Sequence, residues 1–553
     1  MIQTRPGSTL LTTRDGGSFD YVVVGAGSAG AALANRLSAH PSTSVVLLEA
    51  GGNDSNPSVH IPAAFSGLFK TDLDWNYETT PQPGLGGRTI YWPRGKVLGG
   101  SSSLNAMMWV RGFAADYDRW ADLAGPDWSY ESLLPIFQRV ERVQDASNPE
   151  HGAAGAMNVE HQRSPRELTA TFLRAVTEAG YAVVPPNSRQ PEGFSETMLS
   201  QKKGSRHSTV DGYLRPAKDR KNLVVRTGAQ ATRVVFDGTR AVGVEYSVAG
   251  VLHRVEARGE VILCGGAVNT PQLLMLSGIG DAAHLTSQGI PVLVDSPEVG
   301  ANLRDHLVSF FTVETPGGTL LTATGLGEVG NYLLRRRGML TSNVAEAYGF
   351  VRSSAHVELP DLEMIFAPAA YVDEGLSGIP GHGISLGPIL IQPKSTGTVT
   401  LASADPFDKP IIDPRYLSDP GGEDRAVMMR GLAIAERILS TPSMTAVSNG
   451  KYMRPMKGEQ LDTATRAASA LNSLSHTLYH PTSTARMGSD ASAPVDGELR
   501  VRGVQGLRVA DASVMPQIIR GHTNAPAIVI GEKAAEFIIA AARAGRRDRI
   551  TVS

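Results

Sequence analysis

Apolar and polar positions change rhythm several times along the chain, and each change marks an element. Tyr21 to Val24 form an unbroken apolar run of the kind buried in a parallel sheet, Ala31 to Leu37 continue at helical spacing, and Ser44 to Leu48 supply a second apolar strand. Residues 113–145 return to helical spacing through Tyr117, Trp120, Leu123, Leu133, Leu134 and Phe137. The stretch from Leu223 to Tyr246 reads as strands, with Asp237 and Gly238 at a hairpin turn, and Val255 to Cys264 predicts a strand running into GGAVNTPQLLMLSGIG. Between about 310 and 475 the runs LEMIFAPA, ISLGPILIQP and GTVTLAS predict strands parted by Pro and Gly turns, with a helix near Asp424 to Leu439. GLRVADASVMP as a strand and RGHTNAPAIVIGEKAAEFIIAAAR as a helix close the pattern.

This order predicts an α/β protein, α+β overall. Strand–glycine–helix passages near both ends imply a Rossmann-like nucleotide-binding domain assembled from discontinuous segments, 18–160, 196–309 and 480–545. Residues 161–195 and 310–479 are expected to form a substrate-binding domain on a mostly antiparallel sheet, and 1–17 a flexible lead.

The first apolar run feeds into Gly25, Gly27 and Gly30 in GxGxxG spacing. Gly25 permits the tight turn, Gly27 lets backbone N–H groups approach a pyrophosphate, and Gly30 allows a close helix–strand approach. The positive end of the following helix favours the phosphate charge. Glu49, nineteen residues after Gly30 at the end of the second strand, can accept from both hydroxyls of an adenosine ribose and would repel a 2′-phosphate. The pattern points to a dinucleotide without choosing between NAD and FAD.

Composition narrows the class. Lys plus Arg total 52 against 54 for Asp plus Glu, a net charge of −2 with neither a basic tract nor an acidic tail, which argues against nucleic acid as a partner. The single cysteine, Cys264, leaves no disulfide framework and no cysteine metal site; no metal is expected, and a reducing compartment is the simplest inference. The first eighteen residues lack the apolar core of a secretory signal, and no run of 18 apolar residues occurs. A cytoplasmic enzyme is expected, with peripheral membrane contact still compatible.

After Gly52 the chain becomes rich in Gly, Pro and aromatics with little periodicity, as a segment wrapping a ligand would be. Within it, Gly95 to Gly112 contain Gly99, Gly100 and three successive serines, so the backbone can lie against a planar or anionic group. GKVLGGSSSLN from Gly95, GAVNTPQLLMLSGIG from Gly266, VGANLRDH from Val299 to His306, HPTSTARMG from His480 and GHTNAP from Gly521 occur in an order that resembles the glucose–methanol–choline (GMC) family of FAD-dependent oxidoreductases, over Phe19 to Ile539.

The resemblance implies FAD. Gly25, Ala26, Gly27, Ser28 and Gly30 would hold the pyrophosphate, with Glu49 and Ala50 at the ribose. Gly99, Gly100, Ser101, Asn105 and Ala106 would run beside the flavin ring, Val234 would meet the adenine, and Asp511 with Ala512 would lie near the ribityl chain and pyrophosphate. Asn524 and Ala525 would complete the flavin site. Some relatives tether FAD through a histidine in the GGxSSxN loop; Leu104 stands at that position, which implies noncovalent FAD.

Oxidising an alcohol needs a base for the hydroxyl proton, and an imidazole exchanges protons near neutrality. His480, set before Pro481 on non-helical backbone, matches the family's catalytic histidine, and Asn524 matches the residue that holds the substrate oxygen. His522 is a second candidate near the flavin, and Leu478 and Tyr479 are expected to line the pocket. Glu346, in NVAEA, matches an acid that faces the substrate cation in choline-oxidising relatives; the same phrase in relatives with other substrates gives a structural role as the alternative. The implied activity is oxidation of a primary or secondary alcohol to aldehyde or ketone, with oxygen, a quinone or another carrier as electron acceptor, by a monomer or homodimer. Hydroxynitrile lyase and light-driven decarboxylase chemistry are alternatives on the same fold.

Overall fold

The computed structural model describes residues 16–144, 148–448, 450–455 and 461–551. The expected flexible lead lies outside the described residues except for Gly16 and Gly17, whose carbonyls accept hydrogen bonds from Arg226 and from the Glu256 N–H.

Two large sheets organise the chain. The first contains β1 (Ser18–Val24), β2 (Val45–Leu48), β3 (Leu223–Arg226), β4 (Ala229–Asp237), β5 (Arg240–Val248), β6 (Val251–Leu263) and β7 (Leu507–Val509), in the order β3-β2-β1-β6-β5-β4 with β7 beside β6. β1 pairs in parallel with β2 and β6, β2 with β3, and β6 with β7, while β4, β5 and the start of β6 form an antiparallel meander. Val22, Val23, Val45, Val46 and Leu47 are fully buried because helices cover the sheet, which is why these strands are apolar on both faces. Each such burial contributes about 1.5–3 kcal/mol. The turn after Asp237 uses Gly238 at φ +57°, and Asp237 pairs with Arg240.

Helix α1 (Ser28–Leu37) follows β1, α2 (Gly266–Leu276) follows β6, and α3 (Asn524–Thr551) follows β7, so three helix N-termini stand at the carboxyl ends of parallel strands. α1 can lie this close to β1 only because of Gly30: a Cβ there would sit 1.9 Å from the Gly25 carbonyl oxygen. α3 packs on α1 at Gly531, whose Cβ would lie 2.3 Å from the Ala29 carbonyl oxygen.

The second sheet is antiparallel throughout its paired strands, ordered Ala347–Val351, Leu362–Ala367, Gly383–Leu390, Leu307–Val308 and His476–Thr477. Phe311–Glu314 pairs with Gly383–Leu390 and with Tyr452–Arg454, and the helix Glu423–Leu439 covers one face. The run GTVTLAS is not part of this sheet: Thr398–Thr400 pairs with Ile411–Asp413 in a separate two-stranded ribbon. The helical stretch expected over 113–145 is broken into Ala114–Ala124 and Tyr130–Val140, because Gly125 adopts φ +114° and Pro126 starts a new turn. Among the described residues no helix is long and apolar enough to cross a membrane.

Candidate active site

A single elongated cavity runs from the carboxyl ends of the first sheet to the second. At one end stand Glu49, Gln230, Ala231, Gln272 and Pro406; in the middle, Gly25, Gly27, Ser28, Gly100, Ser101, Gly265 and Asp511; at the other end, His480, His522 and Asn524. Three glycine segments form its floor. Gly25 takes φ +99°, a conformation that a side chain disfavours, and Gly100 approaches Gly27 so closely that a Cβ on it would lie 2.8 Å from the Gly27 Cα. N-terminal N–H groups of α1 and α2 face this floor, a donor set suited to a pyrophosphate.

Two carboxylates shape the strand ends. Glu49 accepts from the Ala26 N–H at 2.9 Å and the Gly51 N–H at 2.8 Å, and burial pushes its carboxyl up to about 7 despite those donors. Asp511 accepts from the Gly266 N–H (2.8 Å), the Thr270 hydroxyl (2.6 Å) and the Ser513 N–H (2.8 Å), tying β7 to the head of α2. Burial raises its pKa as well. The glycine floor, the helix N-termini and the carboxylate at the strand end together fit a dinucleotide.

Of the sequence-predicted residues, Gly25, Gly27, Ser28, Glu49, Ala50, Gly100, Ser101, Asn105, Ala106, Asp511, Ala512, Asn524, Leu478, Tyr479, His480 and His522 line this cavity. Others stand behind its wall. The Ala26 N–H is given to Glu49 and its carbonyl accepts from the Gly99 N–H at 2.9 Å; Gly30 faces Gly25; Ala525 is buried in the first turn of α3. Val234 also stands behind the wall: its N–H donates to the Ser277 hydroxyl at 2.9 Å, and Ala229, Gln230 and Ala231 supply the β4 contribution to the wall. A register shift between Ala231 and Arg233 breaks the alternation that would carry the inward face on to Val234.

Glu346 makes the contacts expected of its structural alternative. Its carboxylate is buried away from the cavity and accepts from the Ser342 hydroxyl (2.7 Å), the Arg166 N–H (2.7 Å) and the Thr169 hydroxyl (2.6 Å). The last two lie at the start of the helix Glu167–Glu178, so Glu346 ties that helix to the second sheet.

At the second-sheet end three histidines converge. His480 Nδ1 lies 3.0 Å from His306 Nδ1, its backbone N–H donates to Asp305 at 2.8 Å, and its ring meets that of His522 edge-on, centroids 4.8 Å apart. His522 Nε2 lies 2.9 Å from a carboxylate oxygen of Glu363, which is fully buried. Burial, reinforced by His522, His306 and Arg94, holds His480 well below the ordinary histidine range, and burial pushes His306 down to about 3. Asn524 accepts from the Ser28 hydroxyl at 2.7 Å, which joins the heads of α1 and α3 and leaves its amide N–H₂ for the cavity. The helical bond from the Ala527 N–H to the Thr523 carbonyl puts Thr523, not Asn524, at the capping position.

Around His480 the wall is apolar, with Phe65, Phe69, Phe310, Ile365 and Tyr371. Tyr479 is held at φ +69°; its N–H donates to the Thr477 hydroxyl at 2.7 Å, and half-buried Arg94 donates to its carbonyl at 2.6 Å. Tyr416, itself bonded by the Trp92 indole N–H at 3.1 Å, donates to Asp305. Sequence reasoning did not single out Arg94, Asp305, His306 or Glu363. VGANLRDH contains Asp305 and His306 and carried a signal; Glu363, inside an apolar strand, carried only the oddity of a charge there. Among the described residues no group of three His, Cys, Asp or Glu is placed to hold a metal ion.

Residues 19–308 and 393–531 match the N- and C-terminal models of a family described as GMC oxidoreductase. The chain is 58% identical over 523 residues to an uncharacterized GMC-type oxidoreductase of Mycobacterium tuberculosis, covering 94% of this chain and 99% of that protein. It is 42% identical over 533 residues to an alcohol dehydrogenase [acceptor] of Pseudomonas putida, covering 94% and 96%. A solved structure of the Aspergillus oryzae formate oxidase, concerned with modification of its FAD, superposes with a TM-score of 0.87 at 27% identity, covering 96% of this chain and 99% of that one.

Proposed function

The chain belongs to the GMC oxidoreductase family, and on that premise we propose that it oxidises a primary or secondary alcohol to an aldehyde or ketone, with His480 taking the hydroxyl proton, Asn524 orienting the oxygen and FAD held noncovalently. When bound, FAD supplies the acceptor for the hydride that leaves the alcohol carbon. The observation that carries the reading is a buried, uncharged His480 on the wall of the same cavity that Asn524 lines. An uncharged imidazole has a lone pair ready for a proton, and geometry favours the cavity-facing nitrogen. His480 Nδ1 and His306 Nδ1 share one hydrogen bond, so one of the two nitrogens carries the proton between them. With that proton on His480, its Nε2 is the nitrogen free to act as base. Loss of a proton to His480 and of a hydride from the carbon balances the oxidation.

Asn524 supports the same chemistry from α3: with its oxygen engaged by Ser28, the amide N–H₂ can donate to an alkoxide-like oxygen. Glu363 fixes His522 through Nε2 and puts a negative charge near the two rings, which steadies positive charge gathered on this cluster when His480 is protonated. Noncovalent attachment is supported by Leu104, an alkyl side chain on the cavity wall that cannot form a bond to the ring. We assign 18–160, 196–309 and 480–545 to FAD binding and 161–195 and 310–479 to substrate binding, a division supported by the two sheets that flank the cavity. Oxygen, a quinone or another carrier takes the electrons onward.

Anaerobic mixing of the yellow protein with choline, aliphatic and aromatic alcohols tests the reading. Bleaching by one class is expected, and no bleaching by any of them contradicts it. Acid precipitation that leaves flavin in the protein pellet contradicts noncovalent attachment.

A further inference from the structure

The helix Leu326–Arg335 presents an unusual outer face. Leu326 is 92% exposed, Leu334 86% and Leu333 64%, and Leu321 in the preceding turn is 53% exposed. Positions 326, 333 and 334 fall on one side of a helix, Tyr332 on the opposite side is buried, and Val329 between them packs with Ile61, Ala63 and Met339. A cluster of exposed leucines on a well-anchored helix is a docking surface rather than scattered surface apolarity.

Basic residues border it. Arg335, Arg336 and Arg337 follow directly, and among the described residues none of the three is in an ion pair. Arg163 donates to the Arg336 carbonyl at 3.0 Å, and the turn carrying Lys202 and Lys203 abuts the same point, where a Cβ on Gly204 would lie 2.8 Å from the Arg336 oxygen. The acids nearby are turned to backbone: Glu328 accepts from the Met339 N–H and Glu160 from the N–H groups of Lys203 and Gly204.

We propose that this face docks the protein on an anionic phospholipid bilayer, the leucines entering the headgroup region and the arginines and lysines lying at the phosphates. Leucines beside Arg335 and Arg337, cations in no ion pair among the described residues, match that surface chemically, while Arg336 lies over the Tyr332 ring. A second copy of the chain matches it poorly, because a twofold contact offers only this same patch, whose acids Glu328 and Glu160 are engaged by backbone N–H groups and do not meet the arginines. The docked segment packs against 61–69, and the Leu320 N–H donates to the Pro368 carbonyl at 2.9 Å. Both neighbours supply cavity walls, Phe65 and Phe69 on one and Ala367 and Tyr371 on the other, so docking sets the substrate end of the cavity beside the lipid phase.

The test is co-sedimentation of the FAD-loaded full chain with vesicles of phosphatidylcholine alone or mixed with phosphatidylglycerol, at low and high salt. Binding only to the mixed vesicles is expected, weakened by salt, by roughly fivefold for each of Arg335→Gln and Arg337→Gln, and by at least about tenfold for the combined Leu326→Ser, Leu333→Ser and Leu334→Ser variant. That variant is expected to keep the wild-type melting temperature and its activity with a soluble dye acceptor. No sedimentation with either vesicle, equal binding to both, or full binding by the leucine variant overturns the proposal. So does a wild-type dimer in light scattering that the leucine variant converts to monomer, which would give the face to a second copy.

Discussion

Replacing Glu346 separates a structural carboxylate from a substrate-binding one. Three donors converge on it at 2.6–2.7 Å, two of them from the start of the helix Glu167–Glu178. A hydrogen bond to a charged group contributes about 1.5–3 kcal/mol, and a buried donor left without its partner costs about 1–3 kcal/mol. Glu346→Gln keeps the shape but sets an amide N–H₂ against a donor, for a loss of about 2–3 kcal/mol; Glu346→Ala adds a cavity and reaches about 3–5 kcal/mol. With an unfolding entropy of about 2.1 cal/mol/K per residue, cooperative unfolding of all 553 residues converts about 4 kcal/mol into a fall of about 3 °C. If the second-sheet region of about 200 residues melts separately, the same loss lowers its transition by about 10 °C. The assay is a thermal melt paired with kcat/KM for choline and for an uncharged alcohol of similar size. A lower melting temperature with an unchanged ratio of the two specificities is expected. An unchanged melting temperature together with a tenfold selective loss on choline would refute the assignment of Glu346 to the fold.

Gly30→Ala is expected to strip FAD and lower stability, because the new methyl meets the Gly25 carbonyl oxygen at 1.9 Å; a variant purified with full flavin absorbance contradicts this. Ala231→Phe is expected to weaken FAD retention on dialysis while Val234→Ala leaves it unchanged, and the reverse order would restore Val234 to the cavity. His306 is depressed in the fold to about 3 against about 6.5 when unfolded, so the unfolded chain binds the extra proton and this group removes stability as pH falls between those values. His306→Asn is therefore expected to gain up to about 1.4 kcal/mol over wild type per unit of pH lowered below about 6, read as melting temperatures at pH 7 and 5; parallel curves contradict the buried neutral imidazole. The low pKa of His480 likewise predicts that kcat/KM holds flat below pH 6.5 before its acid limb begins, and a limb centred at 6.5 or above contradicts it.

The nucleotide unit was legible because its determinants are local. An apolar run, three glycines at fixed spacing and an acid at the next strand end lie within about thirty residues, and Gly30 is explained by the same close packing that the spacing implies. The apolar strands of the second sheet were legible for the same reason, whereas GTVTLAS had the right pattern for a strand and nothing to say which sheet would receive it. The expectation for Val234 comes from the resemblance alone, and the register shift between Ala231 and Arg233 leaves no trace in the order of apolar and polar residues. Glu346 looks the same in sequence whichever way its side chain turns, because the donors that decide it lie 177 and 180 residues away. The contact of His306 with His480 spans 174 residues and that of Glu363 with His522 spans 159, so no local pattern announces a cluster of this kind.

The most direct test of the central claim is rapid anaerobic mixing of His480→Ala with the alcohol that best bleaches the wild-type protein. The account predicts full retention of FAD and flavin reduction slowed by about 10²–10⁴-fold, the loss expected for a removed proton acceptor. Reduction within tenfold of wild type, in a variant with its flavin in place, would show that His480 is not the base.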